Sequence, residues 1–137
     1  MEKSTVPVGV RGMLKWIDKG MLDFEHPVQR RSGIWNSLSK SLLVHSILGN
    51  YPVPPVYLIK TKEGDGVHYS ALDGKQRMTS LKEFVEGGFA LNSSTPDVVI
   101  DGECHEIAGL FFEELDDELQ DLVLGFRFTV YCLENAT

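Results

Sequence analysis

Val67-His68-Tyr69-Ser70-Ala71-Leu72-Asp73-Gly74-Lys75-Gln76-Arg77-Met78-Thr79-Ser80-Leu81 changes period in its middle. Val67 to Leu72 reads as a strand, and Met78 to Glu86 carries apolar residues at helical spacing. Asp73 to Arg77 is the junction. The first N–H groups of a helix have no intrahelical partner and its dipole favours negative charge there, so a glycine turn followed by Lys75, Gln76 and Arg77 is a candidate anion cradle. The competing reading is a solvated strand-to-helix turn with Asp73 as a helix cap, which Asp favours regardless of chemistry.

Upstream, Val56 to Lys60 is β-rich, and Lys62 to Gly66 is a turn. The pair reads as a hairpin that feeds the junction. Tyr51-Pro52-Val53-Pro54-Pro55 is a stiff connector, because three prolines remove three donors. Before it, Asn36 or Ser37 caps a helix whose expected buried stripe is Leu38, Leu42, Leu43, Ile47 and Leu48, stopped by Gly49-Asn50. Phe24 to Ser32 is extended or turning, since Pro27 disfavours helix at His26. It carries Arg30 and Arg31 ahead of Gly33 and Trp35, which are either a second phosphate contact or surface charge beside a packed aromatic. Val10 to Leu22 has helical spacing, with Gly20 weakening its end.

Downstream, Gly87-Gly88 is a left-handed helix stop. Phe89 to Leu91 is an expected short strand, and a polar loop follows from Asn92 to Asp97. Val98 to Ile100 and Glu103 to Ile107 pair across the hairpin signal Asp101-Gly102. Phe111 to Leu124 reads as one acidic amphipathic helix with Phe112, Leu115, Leu119, Leu122 and Val123 inward, closed by Gly125. Phe126 to Leu133 is the last expected strand.

The 137 residues are one domain's worth of chain, expected to form a single domain over residues 1–137 with a core that needs no staples. A hydrophobic content of 42% and a charged content of 24% are those of an ordinary globular protein. No apolar run reaches membrane-span length and no signal-peptide layout opens the chain, so a cytoplasmic protein without membrane association is expected. Cys104 and Cys132 are too few and too far apart for a disulfide framework. His26, His45, His68 and His105 are not grouped at ligand spacing, so no metal site and no nuclease site is expected. The net charge of −7 is unevenly distributed. Residues 1–82 hold twelve basic and seven acidic side chains, whereas residues 83–137 hold one and thirteen. A phosphate ligand would meet the basic part, while the acidic part makes DNA contact indirect or weak.

Taken in order, the Arg-bearing loop with Trp35, the Leu-rich helix ending Ser46-Ile47-Leu48-Gly49-Asn50, the Tyr-Pro-Val-Pro-Pro connector, the hairpin and the Asp73-Gly74-Lys75-Gln76-Arg77 box resemble one family. This is the ParB/sulfiredoxin-like domain with an Asp-Gly-Gln-Gln-Arg box, as in the N-terminal domain of GmrSD-type (type IV) restriction systems. The resemblance covers roughly residues 10–133, and the box with Met78-Thr79-Ser80-Leu81 is its most specific part. It implies a small mixed α+β sheet with flanking helices, and a nucleotide-binding, NTP-hydrolysing regulatory domain of a restriction or phage-host conflict system. The implied ligand is a nucleoside triphosphate, with Mg²⁺ as the metal accompanying hydrolysis, and a nuclease domain or partner protein as the associate. Asp73, Gln76 and Arg77 match the box as its catalytic members. Gly74, Lys75 in place of the first Gln, and Arg30 or Arg31 match as phosphate contacts, while the Thr79 and Ser80 hydroxyls are placed either to reach a phosphate or metal or to bond backbone. Asp73 would be either a Mg²⁺ ligand or the holder of Arg77. Sulfiredoxin's catalytic Cys has no counterpart, so sulfinic-acid repair is not expected. Family domains continue into further helices, so the chain reads as an N-terminal fragment or a compact, phage-encoded form. A second hypothesis keeps the fold but makes it a non-catalytic interaction module, such as an inhibitor, acting through its acidic part.

Overall fold

The structure is a computed structural model that describes residues 2–24, 35–64 and 66–134. Its elements are β1 (Glu2–Gly9), α1 (Val10–Asp18), β2 (Leu22–Asp23), α2 (Ser37–Leu48), β3 (Val56–Glu63), β4 (Gly66–Asp73), α3 (Lys75–Val85), β5 (Val98–Ile100), β6 (Glu103–His105), a 3₁₀ turn (Phe112–Glu114), α4 (Asp117–Leu124) and β7 (Arg127–Glu134). This is an α+β protein with a small mixed sheet. The chain divides into two compact units, one formed by residues 1–32, 54–75 and 127–137 and the other by residues 33–53 and 76–126.

The first unit holds a five-stranded sheet in the order β1-β7-β3-β4-β2. β1 and β7 are antiparallel, β7 and β3 parallel, β3 and β4 an antiparallel hairpin, and β4 and β2 parallel. Strand alternation puts Phe128, Val130 and Cys132 on one buried face of β7. β3 and β4 add Val56, Leu58 and Ala71 to the buried set. β1, which has no counterpart among the expected elements, is an edge strand, a position where Pro7 is tolerated because its missing N–H breaks no ladder bond on the open side. α1 buries Val10 and Met13 and stops earlier than its apolar spacing suggests. Gly20 at φ +72° closes it with bonds from Gly20 N–H to Ile17 and Met21 N–H to Trp16. Leu22, expected in the helix, is thereby released into β2. Trp16 stacks on Tyr69 at 4.3 Å between centroids.

The second unit is built on α2, α3 and α4 with the β5–β6 hairpin. Asn36 caps α2, its side chain accepting from Ser39 N–H at 2.9 Å. The stripe of α2 is rotated from the expected one. Leu38 and Leu42 are exposed, and Ser41, Leu43, Val44, Ile47 and Leu48 are buried. Burial of Ser41 is possible because its Oγ donates to Ser37 O at 2.7 Å and accepts from Asn92 N–H at 2.8 Å. α2 and α3 end with the same bond pattern as α1, using Asn50 at φ +60° and Gly87 at φ +82°.

Phe89 to Leu91 is not a strand, although Leu91 exchanges two backbone bonds with Gly109 and Leu110. Asp101 and Gly102, both at positive φ, form the tight turn of the β5–β6 hairpin, whose second strand stops at His105. The expected single acidic helix is broken. Leu115 is extended at ψ 148°, and Gln120 Nε2 donates to the carbonyls of Phe112, Glu113 and Leu115 at 3.0 to 3.3 Å, satisfying the groups the break exposes. The shorter α4 leaves Leu122 exposed instead of inward. No helix among the described residues is long and apolar enough to cross a membrane.

Candidate functional site

β4 delivers the box one residue later than its alternation suggests, and α3 begins three residues earlier. Asp73 is the last strand residue, opposite Tyr57, and the β3–β4 register slips between Tyr57 and Leu58 so that Leu72 is the extra residue of a bulge. The Asp73 carboxylate accepts from Gly74 N–H at 2.9 Å. Gly74 stands between strand and helix at φ +104°. A Cβ built there would lie 2.3 Å from Val56 Cγ1. The glycine is therefore required by packing against β3, before any ligand is considered.

Starting α3 at Lys75 places Lys75, Gln76 and Arg77 in its first turn, where backbone N–H groups have no intrahelical acceptor. At 100° per residue, Lys75 and Thr79 share one face, with Lys75 exposed and Thr79 half-buried. Arg77 falls on the other face, with buried Ser80, Leu81 and Phe84, and its Nε is buried. The box residues are thus consecutive in sequence but divided in direction. Arg77 has a packing role whatever else it does.

Gln76 is half-buried, and its Oε1 accepts from Trp35 N–H at 3.3 Å. An N–H can only donate, so this contact fixes the amide orientation and leaves the Gln76 NH₂ as a donor. Arg30 and Arg31 lie outside the described residues. Lys40 on α2 pairs with Glu83 on α3 at 2.7 Å and sits 5.5 Å from the centre of the Phe89 ring. Phe84 meets Phe89 and Phe112 at 5.4 and 5.8 Å, holding the other end of α3.

Neither thiol is set up as a nucleophile. Burial pushes Cys132 up, with Lys60 opposing and Glu134 assisting. Cys104, although exposed, is also raised, by desolvation first and then by its contact with Asp97, whose Oδ2 lies 3.6 Å from the sulfur. Both stay protonated at neutral pH. His68 bonds Asp23, His45 bonds the Asp97 carbonyl at 3.1 Å, and His26 lies outside the described residues. His105 is different. It is brought together with Glu103 and Glu118, a grouping hidden in the sequence because Glu118 arrives from α4. The legible part of that signal is Glu103 and His105 two apart on a strand.

The class these elements define is an α+β domain whose mixed sheet ends its central hairpin in an Asp-Gly-Lys-Gln-Arg strand-to-helix junction. The family model described as GmrSD restriction endonuclease, N-terminal domain, matches residues 10–129. The chain belongs to that family. No curated protein and no solved structure matches it.

Proposed function

We propose that this chain is the nucleotide-binding regulatory domain of a DNA restriction system in phage defence, with the phosphates held at the start of α3. The carrying observation is that α3 begins at Lys75, directly behind Gly74 at φ +104°. Lys75, Gln76 and the first-turn N–H groups, which helix geometry leaves without intrahelical acceptors, then offer donors to an anion, and Thr79 adds a hydroxyl on the Lys75 face. Gln76 supports binding through its NH₂, since its oxygen is engaged by Trp35. Arg30 and Arg31 are the proposed second phosphate contact. Hydrolysis, in this reading, uses Mg²⁺ with Asp73 as its ligand, and Gln76 serves as a phosphate donor more than as a water-orienting acceptor.

Calorimetric titration of the chain with the four NTPs, with and without Mg²⁺, tests this. Lys75→Ala should weaken binding without loss of stability because the side chain is exposed, whereas Arg77→Ala should reduce both. Unchanged affinity in Lys75→Ala and in the Arg30→Ala, Arg31→Ala pair would sink the assignment.

A second reading, a protein-interaction module, is favoured by an open cleft of about 490 Å³ lined by Glu86, Gly87, Phe111, Glu113 and Glu114. Exposed Phe111 ringed by carboxylates suits a basic, apolar-anchored segment. Glu114 also bonds Phe111 N–H at 3.0 Å, so charge reversal belongs at Glu86 and Glu113. Loss of partner capture in that variant, with NTP affinity unchanged, would favour this reading.

A further inference from the structure

β6 is three residues long, and strand alternation turns Glu103 and His105 to one face while Cys104 faces the other. The first turn of α4 supplies Glu118, which is exposed. One ligand atom from each of Glu103, His105 and Glu118 lies within 4.8 Å of the other two. The imidazole is the informative member. Its side chain is only 13% accessible, and its Nε2 is buried with no hydrogen-bond partner among the described residues. The nearest carboxylate oxygen, Glu103 Oε2, stands 3.8 Å away, and Asp116 Oδ2 stands 3.9 Å from the other ring nitrogen, Nδ1.

A buried imidazole nitrogen facing a carboxylate at 3.8 Å is too distant for a hydrogen bond. Two ligands at zinc distances around a tetrahedral ion are about 3.4 Å apart, so this gap is close to the one a shared ion sets. We propose that Glu103, His105 and Glu118 form a site for one divalent transition-metal ion of the Zn²⁺ class. Nε2 supplies the nitrogen lone pair, and the two carboxylates neutralise the dication. Both carboxylates are exposed, so their side chains can move in to close the cluster from its 4.8 Å span to ligand spacing. Asp116 is the positioning residue. Its carboxylate stands 3.9 Å from Nδ1, beyond hydrogen-bond reach, and through its charge favours the tautomer that keeps the proton there and leaves the Nε2 lone pair for the ion. One imidazole with two carboxylates selects against Mg²⁺ and Ca²⁺, which prefer all-oxygen shells. The ion would clip the β5–β6 hairpin to α4, independently of nucleotide binding at α3.

Metal-stripped chain of all 137 residues titrated with ZnCl₂ by calorimetry should bind one ion per chain, and CoCl₂ should give visible absorption bands of a low-coordinate nitrogen–oxygen site. A large excess of MgCl₂ should not displace either ion. Glu118→Gln and Glu103→Gln, both exposed and checked for folding by circular dichroism, should each weaken Zn²⁺ binding by at least about tenfold, and Asp116→Asn by roughly tenfold. His105→Ala should abolish the cobalt bands. Absence of saturable one-to-one binding to the native chain overturns the proposal. So does Zn²⁺ affinity that is the same in native, Glu118→Gln and His105→Ala chains, since the ion would then sit elsewhere.

Discussion

Gly74→Ala perturbs the junction by a single methyl group. The added Cβ meets Val56 Cγ1 at 2.3 Å, Val56 Cβ at 2.7 Å and Val56 Cα at 3.3 Å, and it must do so at φ +104°. The dihedral costs roughly 1–3 kcal/mol for a residue with a Cβ. Overpacking adds roughly 1–3 kcal/mol, because Val56 is fully buried and cannot swing aside. The expected loss is therefore about 2–6 kcal/mol, read as a lower urea midpoint and a Tm depressed by on the order of 10 °C. A double-mutant cycle separates the two terms. Val56→Ala removes Cγ1 and leaves Cβ, so it should return about 1 kcal/mol to Gly74→Ala as a favourable coupling, while the dihedral cost stays. Gly102→Ala is the control, with φ +81° and nothing within 4 Å of the new methyl, and should show the dihedral cost alone. A Gly74→Ala chain within about 0.5 kcal/mol of the parent would refute the packing argument.

Other consequences are open to direct measurement. Gly12 lies inside α1 with open space around a new Cβ, so Gly12→Ala should stabilise by about 0.5–1 kcal/mol in urea unfolding. Ser41→Ala strips Asn92 N–H of its acceptor and should cost about 1–3 kcal/mol. Burial holds the Cys132 thiol above its ordinary range, so the folded chain keeps that proton when the unfolded chain gives it up. The associated stability is present below the unfolded-state pKa and is lost as pH rises through the folded one, a slope on the alkaline arm of a pH–stability curve that Cys132→Ala should remove. In thiol labelling of the native chain, Cys104 should react well before Cys132, because only Cys104 is exposed.

The hairpin, the capped helix α2, the Asp101-Gly102 turn and the helix stops at Gly49-Asn50 and Gly87-Gly88 are legible in sequence because each depends on nearby residues. What the sequence hides depends on partners far along the chain. β1 becomes a strand by pairing with β7, some 120 residues away, and Leu22 joins a strand only because Tyr69 is beside it. The break before α4 needs Gln120 to reach back to three carbonyls, which no periodicity encodes. At the candidate site, the residues of the box were readable, but their division between an exposed and a buried helix face was not. That division depends on α3 starting at Lys75, set by the strand running to Asp73.

β7 lies between β1 and β3, although it is the last of the described elements. During synthesis the two strands it joins are both made long before it, and each presents an open row of N–H and C=O groups until residues 127–134 emerge. Closing a loop of more than a hundred residues is slow and depends on nothing local. Chains cut short of Arg127 should therefore expose two strand edges at once and accumulate as aggregates, whereas a circular permutant that starts with β7 should join β1 to its neighbour early and fold faster.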